Sequence, residues 1–269
     1  MLSYFFFKDQ SFINGGNFIL QSGHQLIKNI TSYGITPFNN AKGLAFTCTS
    51  FGYYVCDTSG QKLVKFSSTW SYLTWISYSM EVNFVIAVNN SNTLEIFYSS
   101  RDFVAKLNSN LNYLSQHWYT KASYQGLFYN KTGDYILACS AGYNLIYFLS
   151  RNNLAMIKYI STSPYTPTDI KEFNGVLYVG TFNSTVLIIE NEVIVSNFMT
   201  TCPIILSLSI DIVGNIAVVC NTNVIFVYSN NGTYSGISWA SPIAGTSNIA
   251  FDNAGNIILS AAAGVFIYN

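Results

Sequence analysis

Charged residues are scarce in this sequence. Lys, Arg, Asp and Glu make up only 9% of its 269 residues, the formal net charge is zero, and Arg101 and Arg151 are the only arginines. Proteins that bind nucleic acid neutralise phosphates with a basic surface, so this composition argues against nucleic acid as a partner. Hydrophobic residues make up 50% of the chain, which is typical of a folded protein with a large core rather than of a disordered one.

Long apolar runs and a secretion signal are also missing. The opening segment MLSYFFFKDQ has no basic residue before its apolar stretch and no small-residue cleavage site, so no signal peptide is predicted. The most apolar region, residues 203–229, is interrupted by polar residues and alternates as strands do. We therefore expect no membrane-spanning helix.

Residues that carry catalysis are few. His24 and His117 are the only histidines, which excludes a three-histidine metal site, and the sequence contains neither a GxSxG nucleophile motif nor a GxxxxGK[ST] phosphate-binding loop. His117 acting as a base beside a nearby serine is the one hydrolase arrangement left. A Ca²⁺ site built from carbonyls and Asn side chains stays open. We expect a non-enzymatic protein with no metal and no cofactor.

The five cysteines form no CxxC pair. Their odd number favours reduced thiols, and with them a reducing intracellular environment, over a disulfide framework. Cys48 and Cys56, which lie symmetrically about a predicted hairpin turn, are the one pair expected to face each other across two strands.

Internal repeats organise the chain. Residues 249–269 align without a gap on residues 10–30, and residues 83–107 align in the same way on residues 134–158. Each unit reads as an apolar strand, a tight turn, a second strand, a short polar loop and a third strand, usually followed by a fourth. Seven positions, most of them glycines, mark the first turn of each unit: Gly16, Gly52, Val82, Gly133, Gly175, Gly214 and Gly255.

This spacing predicts an all-β fold, a seven-bladed β-propeller that forms a single domain over residues 1–269. The intervals between the marked turns range from 30 to 51 residues, so six blades are the alternative. The last repeat ends after three strands, and residues 2–8 (LSYFFFK) precede the first repeat. We therefore expect this N-terminal strand to complete the last blade and close the ring.

Residues 45–68, AFTCTSFGYYVCDTSGQKLVKFSS, resemble the repeat of NHL-type propellers. An apolar strand leads to Gly52, a second strand ends at Asp57, and the strand KLVKF follows. The resemblance implies a propeller that serves as a protein-binding scaffold. Some propellers of this kind bind RNA and related ones are metal-dependent lactonases, esterases or lyases, but basic residues and metal ligands are too scarce here for these activities to be expected.

The most distinctive segment is a predicted insertion between two blades at residues 108–125, NSNLNYLSQHWYTKASYQ. Aromatic rings supply contact area and amides supply directional hydrogen bonds, so this segment and neighbouring loops predict a recognition face. In the competing interpretation, Trp118 and the tyrosines pack down on the blades. The predicted face consists of Tyr113, His117, Trp118, Tyr119, Tyr124, Tyr143, Asn144 and Tyr165.

We expect this face to bind a protein partner or further copies of the chain, because rigid repeats, low charge and exposed aromatic residues occur together. One alternative is a glycan-binding, lectin-like module that uses the same aromatic and amide side chains. A metal-dependent hydrolase or lyase is the third hypothesis.

Overall fold

The computed structural model describes residues 25–46, 52–90, 93–211, 213–251 and 256–268. These ranges form 26 β-strands and contain no helix, which confirms the predicted all-β class. Nowhere in them is there an apolar helix of the length needed to cross a membrane.

The strands form six four-stranded antiparallel sheets, which are the blades of a propeller, and one small hairpin. The chain starts with β1 (Leu26–Ile30), followed by the hairpin strands β2 (Ser32–Tyr33) and β3 (Thr36–Pro37). Blade 1 consists of β4 (Ala41–Phe46), β5 (Tyr53–Asp57), β6 (Lys62–Phe66) and β7 (Tyr72–Ser77). Blade 2 consists of β8 (Val82–Asn90), β9 (Thr93–Ser100), β10 (Phe103–Asn108) and β11 (Tyr113–Trp118).

The remaining blades repeat this order. Blade 3 consists of β12 (Tyr124–Asn130), β13 (Tyr135–Ser140), β14 (Leu145–Ser150) and β15 (Met156–Ser161). Blade 4 consists of β16 (Pro167–Phe173), β17 (Val176–Thr181), β18 (Thr185–Glu190) and β19 (Val193–Met199). Blade 5 consists of β20 (Ile205–Ile210), β21 (Ile216–Cys220), β22 (Val224–Tyr228) and β23 (Tyr234–Ala240). Blade 6 consists of β24 (Thr246–Phe251), β25 (Ile257–Ala261) and β26 (Gly264–Tyr268), with β1 as its fourth strand.

The first strands of the blades line a central channel. Each contacts the first strand of the next blade, and β24 contacts β4, so the ring is closed. Middle strands are covered on both faces by neighbouring blades and are therefore apolar throughout, as in IAVVC of β21, which is wholly buried. Buried apolar clusters fill the spaces between blades; Tyr54 and Leu63 of blade 1, for example, pack with Ile96 and Leu107 of blade 2.

An N-terminal strand completes the last blade, as predicted, but the strand is β1 rather than residues 2–8. Ile30 pairs with Val265 and Asn29 with Phe266 of β26. The repeat alignment matched this segment to a third strand, whereas it is the fourth strand of blade 6. Residues 2–8 lie outside the described residues, and the edge of β26 that they were expected to cover is occupied by β1.

The described residues form six blades, the count that the sequence left as the alternative. The turn marker at Val82 was wrong, because Val82 begins β8, a first strand. Residues 83–107 were consequently aligned one strand out of register with residues 134–158. Second strands in fact begin every 40 to 42 residues, at Tyr53, Thr93, Tyr135, Val176, Ile216 and Ile257.

Two of the cysteines form a disulfide, contrary to the expectation of reduced thiols. Cys202 lies in the connection that leads into β20, and Cys220 ends β21. Because Ile205 of β20 pairs with Cys220, the antiparallel register brings the two Cα atoms within 5.3 Å, a separation that a disulfide spans. Cys56 and Cys139 are free and buried, while Cys48, the expected partner of Cys56, lies outside the described residues.

Candidate functional site

One face of the ring carries the connections between consecutive blades, together with the turns between second and third strands. We call it the connecting face. The predicted recognition face was assigned to this side, and most of its residues do lie there or at its margin. The predicted insertion at residues 108–125, however, does not exist as such: residues 113–118 form β11, the outer strand of blade 2, and only residues 119–123 connect it to blade 3.

Four of the predicted residues meet between blades 2 and 3. The rings of Tyr119 and Tyr143 are 5.2 Å apart, and those of His117 and Tyr124 are 6.3 Å apart. Tyr147 of β14 joins the two pairs, with its ring 5.7 Å from Tyr119 and 5.8 Å from Tyr124. Tyr147 was not predicted, although it lies on a middle strand, LIYFLS, whose side chains point in turn towards the two neighbouring blades. We call these five residues the aromatic cluster.

The inner part of the aromatic cluster is closed to a partner. Tyr124 is fully buried, so its prediction as a surface contact was wrong. Neither the Tyr124 hydroxyl nor His117 Nε2 has a hydrogen-bond partner in the described chain, so no serine of these ranges pairs with His117 Nε2. Burial lowers the pKa of His117. The pKa of Tyr147 is raised to about 12, mainly by burial and to a smaller extent by electrostatic interaction with neighbouring tyrosines. These groups are therefore held in their neutral forms.

The outer part of the cluster is accessible. Tyr119 and Tyr143 are 44% and 43% exposed, and the Tyr143 hydroxyl donates a hydrogen bond of 2.9 Å to the Thr120 carbonyl oxygen. Trp118, next to Tyr119 in the chain, is 48% exposed, with its ring centre 4.9 Å from that of the buried Phe103. Trp118 thus covers Phe103 with one side and faces solvent with the other. Phe103 belongs to the core between blades 1 and 2, whereas Tyr119 and Tyr143 meet between blades 2 and 3, so these exposed rings lie on both sides of the outer strand of blade 2. We call Trp118, Tyr119 and Tyr143 the aromatic patch.

The other three predicted residues lie elsewhere. Tyr113 is exposed at the start of β11, on the rim of the ring. Asn144 and Tyr165 belong to the junction of blades 3 and 4, where the Thr166 hydroxyl donates to Asn144 Oδ1 and Tyr165 packs on the core between the blades.

Apolar exposure is concentrated at the rim. Of the 20 large hydrophobic side chains that are exposed in the described ranges, 15 lie on the outer strands of the blades. Outer strands also carry unpaired backbone groups along one edge, which makes them sites where another chain can pair. Prominent examples are Leu73, Trp75, Leu114, Trp118, Ile157 and Tyr159.

A second feature of the connecting face, not predicted from the sequence, is a cavity of about 320 Å³ at the mouth of the central channel. Its apolar walls are Phe84, Phe182 and Leu206. Its polar lining includes Asn40, Lys42, Gln125, Asn221, Asn223 and Ser247.

An irregularity repeated in every blade helps to form this lining. Near its start, each first strand slips in register against the second strand, as between Ala41 and Leu44 or between Thr246 and Asn248. Such bulges turn a side chain out of the regular alternation. In four blades, the residue that follows the first position of the strand faces the cavity: Lys42, Gln125, Leu206 and Ser247.

Lys42 is the only charged residue among the described residues that line the cavity. Its ammonium forms no ion pair and no side-chain hydrogen bond within the part of the chain that the structure describes. Lys171, on another first strand of the channel, is neutralised by Asp169, with Nζ and Oδ1 2.8 Å apart. Asp169 also accepts hydrogen bonds from the Ser207 hydroxyl and the Leu208 amide, so this carboxylate ties blade 4 to blade 5.

The amides around Lys42 differ in how they are used. Asn223 Oδ1 accepts hydrogen bonds from the Gly245 and Thr246 amides, at 2.8 and 3.1 Å, which fixes its side chain and leaves its NH₂ group to donate. Asn221 is exposed beside it. No group of three or more His, Cys, Asp or Glu side chains comes together as a metal site within the described ranges.

Comparison with protein-family models found none that matches this chain, and a search of curated proteins found no relative. The propeller architecture implied by the NHL resemblance is present, but these comparisons lend no support to membership of the NHL family itself.

Proposed function

We propose that this chain is a non-enzymatic binding scaffold that holds a protein partner, or another copy of itself, against the aromatic patch and the adjoining rim. The observation that carries the proposal is the patch itself: three exposed aromatic side chains that are held in place by the packing beneath them. Aromatic side chains in fixed positions bind at low entropic cost and are frequent at the energetic centres of interfaces.

The surroundings of the patch support this proposal. Leu114 lies on the same outer strand as Trp118 and is 52% exposed, so apolar surface continues from the patch along the rim. Asp102 and Lys121 adjoin the patch, because the Tyr119 amide donates to the Asp102 carbonyl oxygen and the Lys121 amide to Asp102 Oδ1, so the apolar surface has a charged margin, as interfaces commonly do.

Binding by the patch is tested with a tagged copy of the chain recovered from its native source, alongside the Tyr119→Ala variant. We expect the variant to lose proteins that the unchanged chain retains. Tyr234→Ala is the matched control, because Tyr234 is a 42% exposed tyrosine on β23 of blade 5, away from the patch. If Tyr119→Ala and the control recover the same proteins, the patch is not the binding surface.

Self-association is tested separately by sedimentation at increasing concentration. If the partner is a second copy, the average mass rises with concentration for the unchanged chain and for Tyr234→Ala but not for Tyr119→Ala. A glycan-binding module that uses the same rings is the alternative, and binding to a glycan array that is lost in Tyr119→Ala would favour it.

The NHL-like character belongs to this proposal as well. Its support is the blade 1 motif, in which Asp57 ends β5 as in the NHL-type repeat. The absence of catalysis remains a prediction, and a panel of esters and lactones assayed with and without a chelator tests it. Turnover that disappears on chelation would replace the scaffold proposal by the metal-dependent enzyme hypothesis.

A further inference from the structure

The cavity at the mouth of the channel is a second concave site, separate in its residues from the aromatic patch. Its volume of about 320 Å³ lies at the lower end of the range for small-molecule pockets, about 300 to 1,000 Å³. It lies where the first strands of several blades converge: Lys42, Gln125, Leu206 and Ser247 stand on those strands, while Phe182, Asn221 and Asn223 belong to turns between second and third strands.

The charge of the cavity favours an anion. Lys42 contributes an ammonium that no described acid neutralises. Asp169, an acid on another first strand of the same channel, already forms an ion pair with Lys171 and accepts two hydrogen bonds from blade 5. An ammonium that is half-buried and unpaired gains most from a ligand that brings a negative charge, because a charge-assisted hydrogen bond is stronger than a neutral one.

The remaining lining favours a hydroxylated ligand. Asn221 and Asn223 present carboxamides, and Ser247 presents a hydroxyl, at the same opening as Lys42. The Asn223 NH₂ group is left to donate, and the exposed Asn221 carboxamide can both donate and accept, so together they match the paired hydroxyls of a sugar. Phe182, which is 38% exposed, adds an aromatic face against which the C–H side of a sugar ring can lie.

We propose that the mouth of the channel binds a small hydroxylated carboxylate, such as an acidic monosaccharide, with the carboxylate on Lys42 and the hydroxyls on the surrounding amides. Phosphate is disfavoured, because phosphate sites commonly use arginine forks or several cations, and Lys42 is the single cation in the described lining. The proposal does not depend on the aromatic patch or on its partner.

Calorimetric titration of the full chain with glucuronate, glucose and inorganic phosphate tests the proposal. We expect glucuronate to bind at least about tenfold more tightly than glucose, which lacks the carboxylate, and more tightly than phosphate. Lys42→Met should weaken glucuronate binding by about tenfold or more and leave glucose binding unchanged. Lys131→Met is the matched control, because Lys131 is exposed in the turn between β12 and β13, on the opposite face of the ring.

Two further variants keep the test decisive if Lys42→Met fails to fold. Asn221 and Phe182 are both exposed, so Asn221→Ala and Phe182→Ala should fold normally and each weaken glucuronate binding several-fold. Tyr119→Ala should bind glucuronate like the unchanged chain, which separates this site from the aromatic patch. The proposal is overturned if no probe binds, if glucose or phosphate binds as tightly as glucuronate, or if glucuronate binding is unaffected in Lys42→Met and in both of these variants.

Discussion

The Tyr33 hydroxyl donates a hydrogen bond of 2.9 Å to Oδ2 of Asp57, across the junction between blade 6 and blade 1. Tyr33 lies in the connection that follows β1, and Asp57 ends β5. Asp57 is fully buried, and its other oxygen accepts the Asn39 amide at 2.8 Å. The Asp57 carboxylate therefore binds the segment between β1 and blade 1 at two residues, Tyr33 and Asn39.

Removing this hydroxyl should destabilise the fold. We expect Tyr33→Phe to lower the free energy of unfolding by about 1.5 to 3 kcal/mol, the range for a hydrogen bond to a charged group, because the buried Asp57 carboxylate loses a donor. Urea denaturation measures the change. Tyr72→Phe is the control, because Tyr72 packs against Tyr33 and is 38% exposed. The free energy of unfolding of this variant should change by less than about 0.5 kcal/mol. Equal midpoints for the two variants would contradict the role of Asp57 in closure.

The closing strand β1 offers a second test, because two isoleucines of the same strand differ in burial. Ile30 is buried and packs in the core between blades 6 and 1, whereas Ile27 is 52% exposed. Ile30→Ala should cost about 2 to 5 kcal/mol, the range for truncation of a large aliphatic side chain in a core. Ile27→Ala should cost much less, within about 1 kcal/mol. Similar losses in thermal or urea unfolding would show that β1 does not close the ring by packing.

Much of this fold was predictable from the sequence, because the turn before each second strand is usually marked. Glycine precedes the second strands of blades 1, 3, 4 and 5 at Gly52, Gly133, Gly175 and Gly214, and Gly52 and Gly214 adopt the positive φ that favours this residue. Blade 2 has Ser91 and Asn92 in that stretch of sequence instead, so the repeat pattern misplaces its turn at Val82 and leaves the blade count open between seven and six. Once a turn lacks its glycine, local sequence does not fix the register of the repeat.

The sites were harder to predict. The channel mouth combines Lys42, Gln125 and Ser247, which are far apart in sequence and are turned inwards by register slips that no local pattern marks. The aromatic segment was found, but its packing was not, because Tyr124 is fully buried while Tyr119, five residues earlier, faces solvent.

Acid should destabilise the fold through His117. Burial lowers the pKa of this side chain, whereas in the unfolded chain its pKa is about 6.5. As the pH falls through about 6.5, the unfolded state therefore gains a proton that the folded state does not take up, and stability decreases until the lower pKa of the folded state is reached. The melting temperature should fall between pH 7 and pH 5, and His117→Gln should remove part of that fall. Parallel pH profiles for the variant and the unchanged chain would rule out His117 as the cause.

Trp118 separates the binding role of the aromatic patch from a purely structural one. About half of its surface is exposed, and the rest covers Phe103. Trp118→Ala therefore exposes part of the Phe103 ring to solvent and leaves no enclosed cavity in the core. We expect a loss of about 1 kcal/mol in the free energy of unfolding, below the roughly 3 to 5 kcal/mol for truncation of a fully buried aromatic side chain. Partner binding should weaken by about 2 kcal/mol or more, as for a central aromatic anchor. Trp75→Ala, which alters a 42% exposed tryptophan on β7 of blade 1, should leave that binding unchanged. A Trp118→Ala protein that is strongly destabilised, and whose folded fraction binds normally, would show that this tryptophan serves the blade and not the partner.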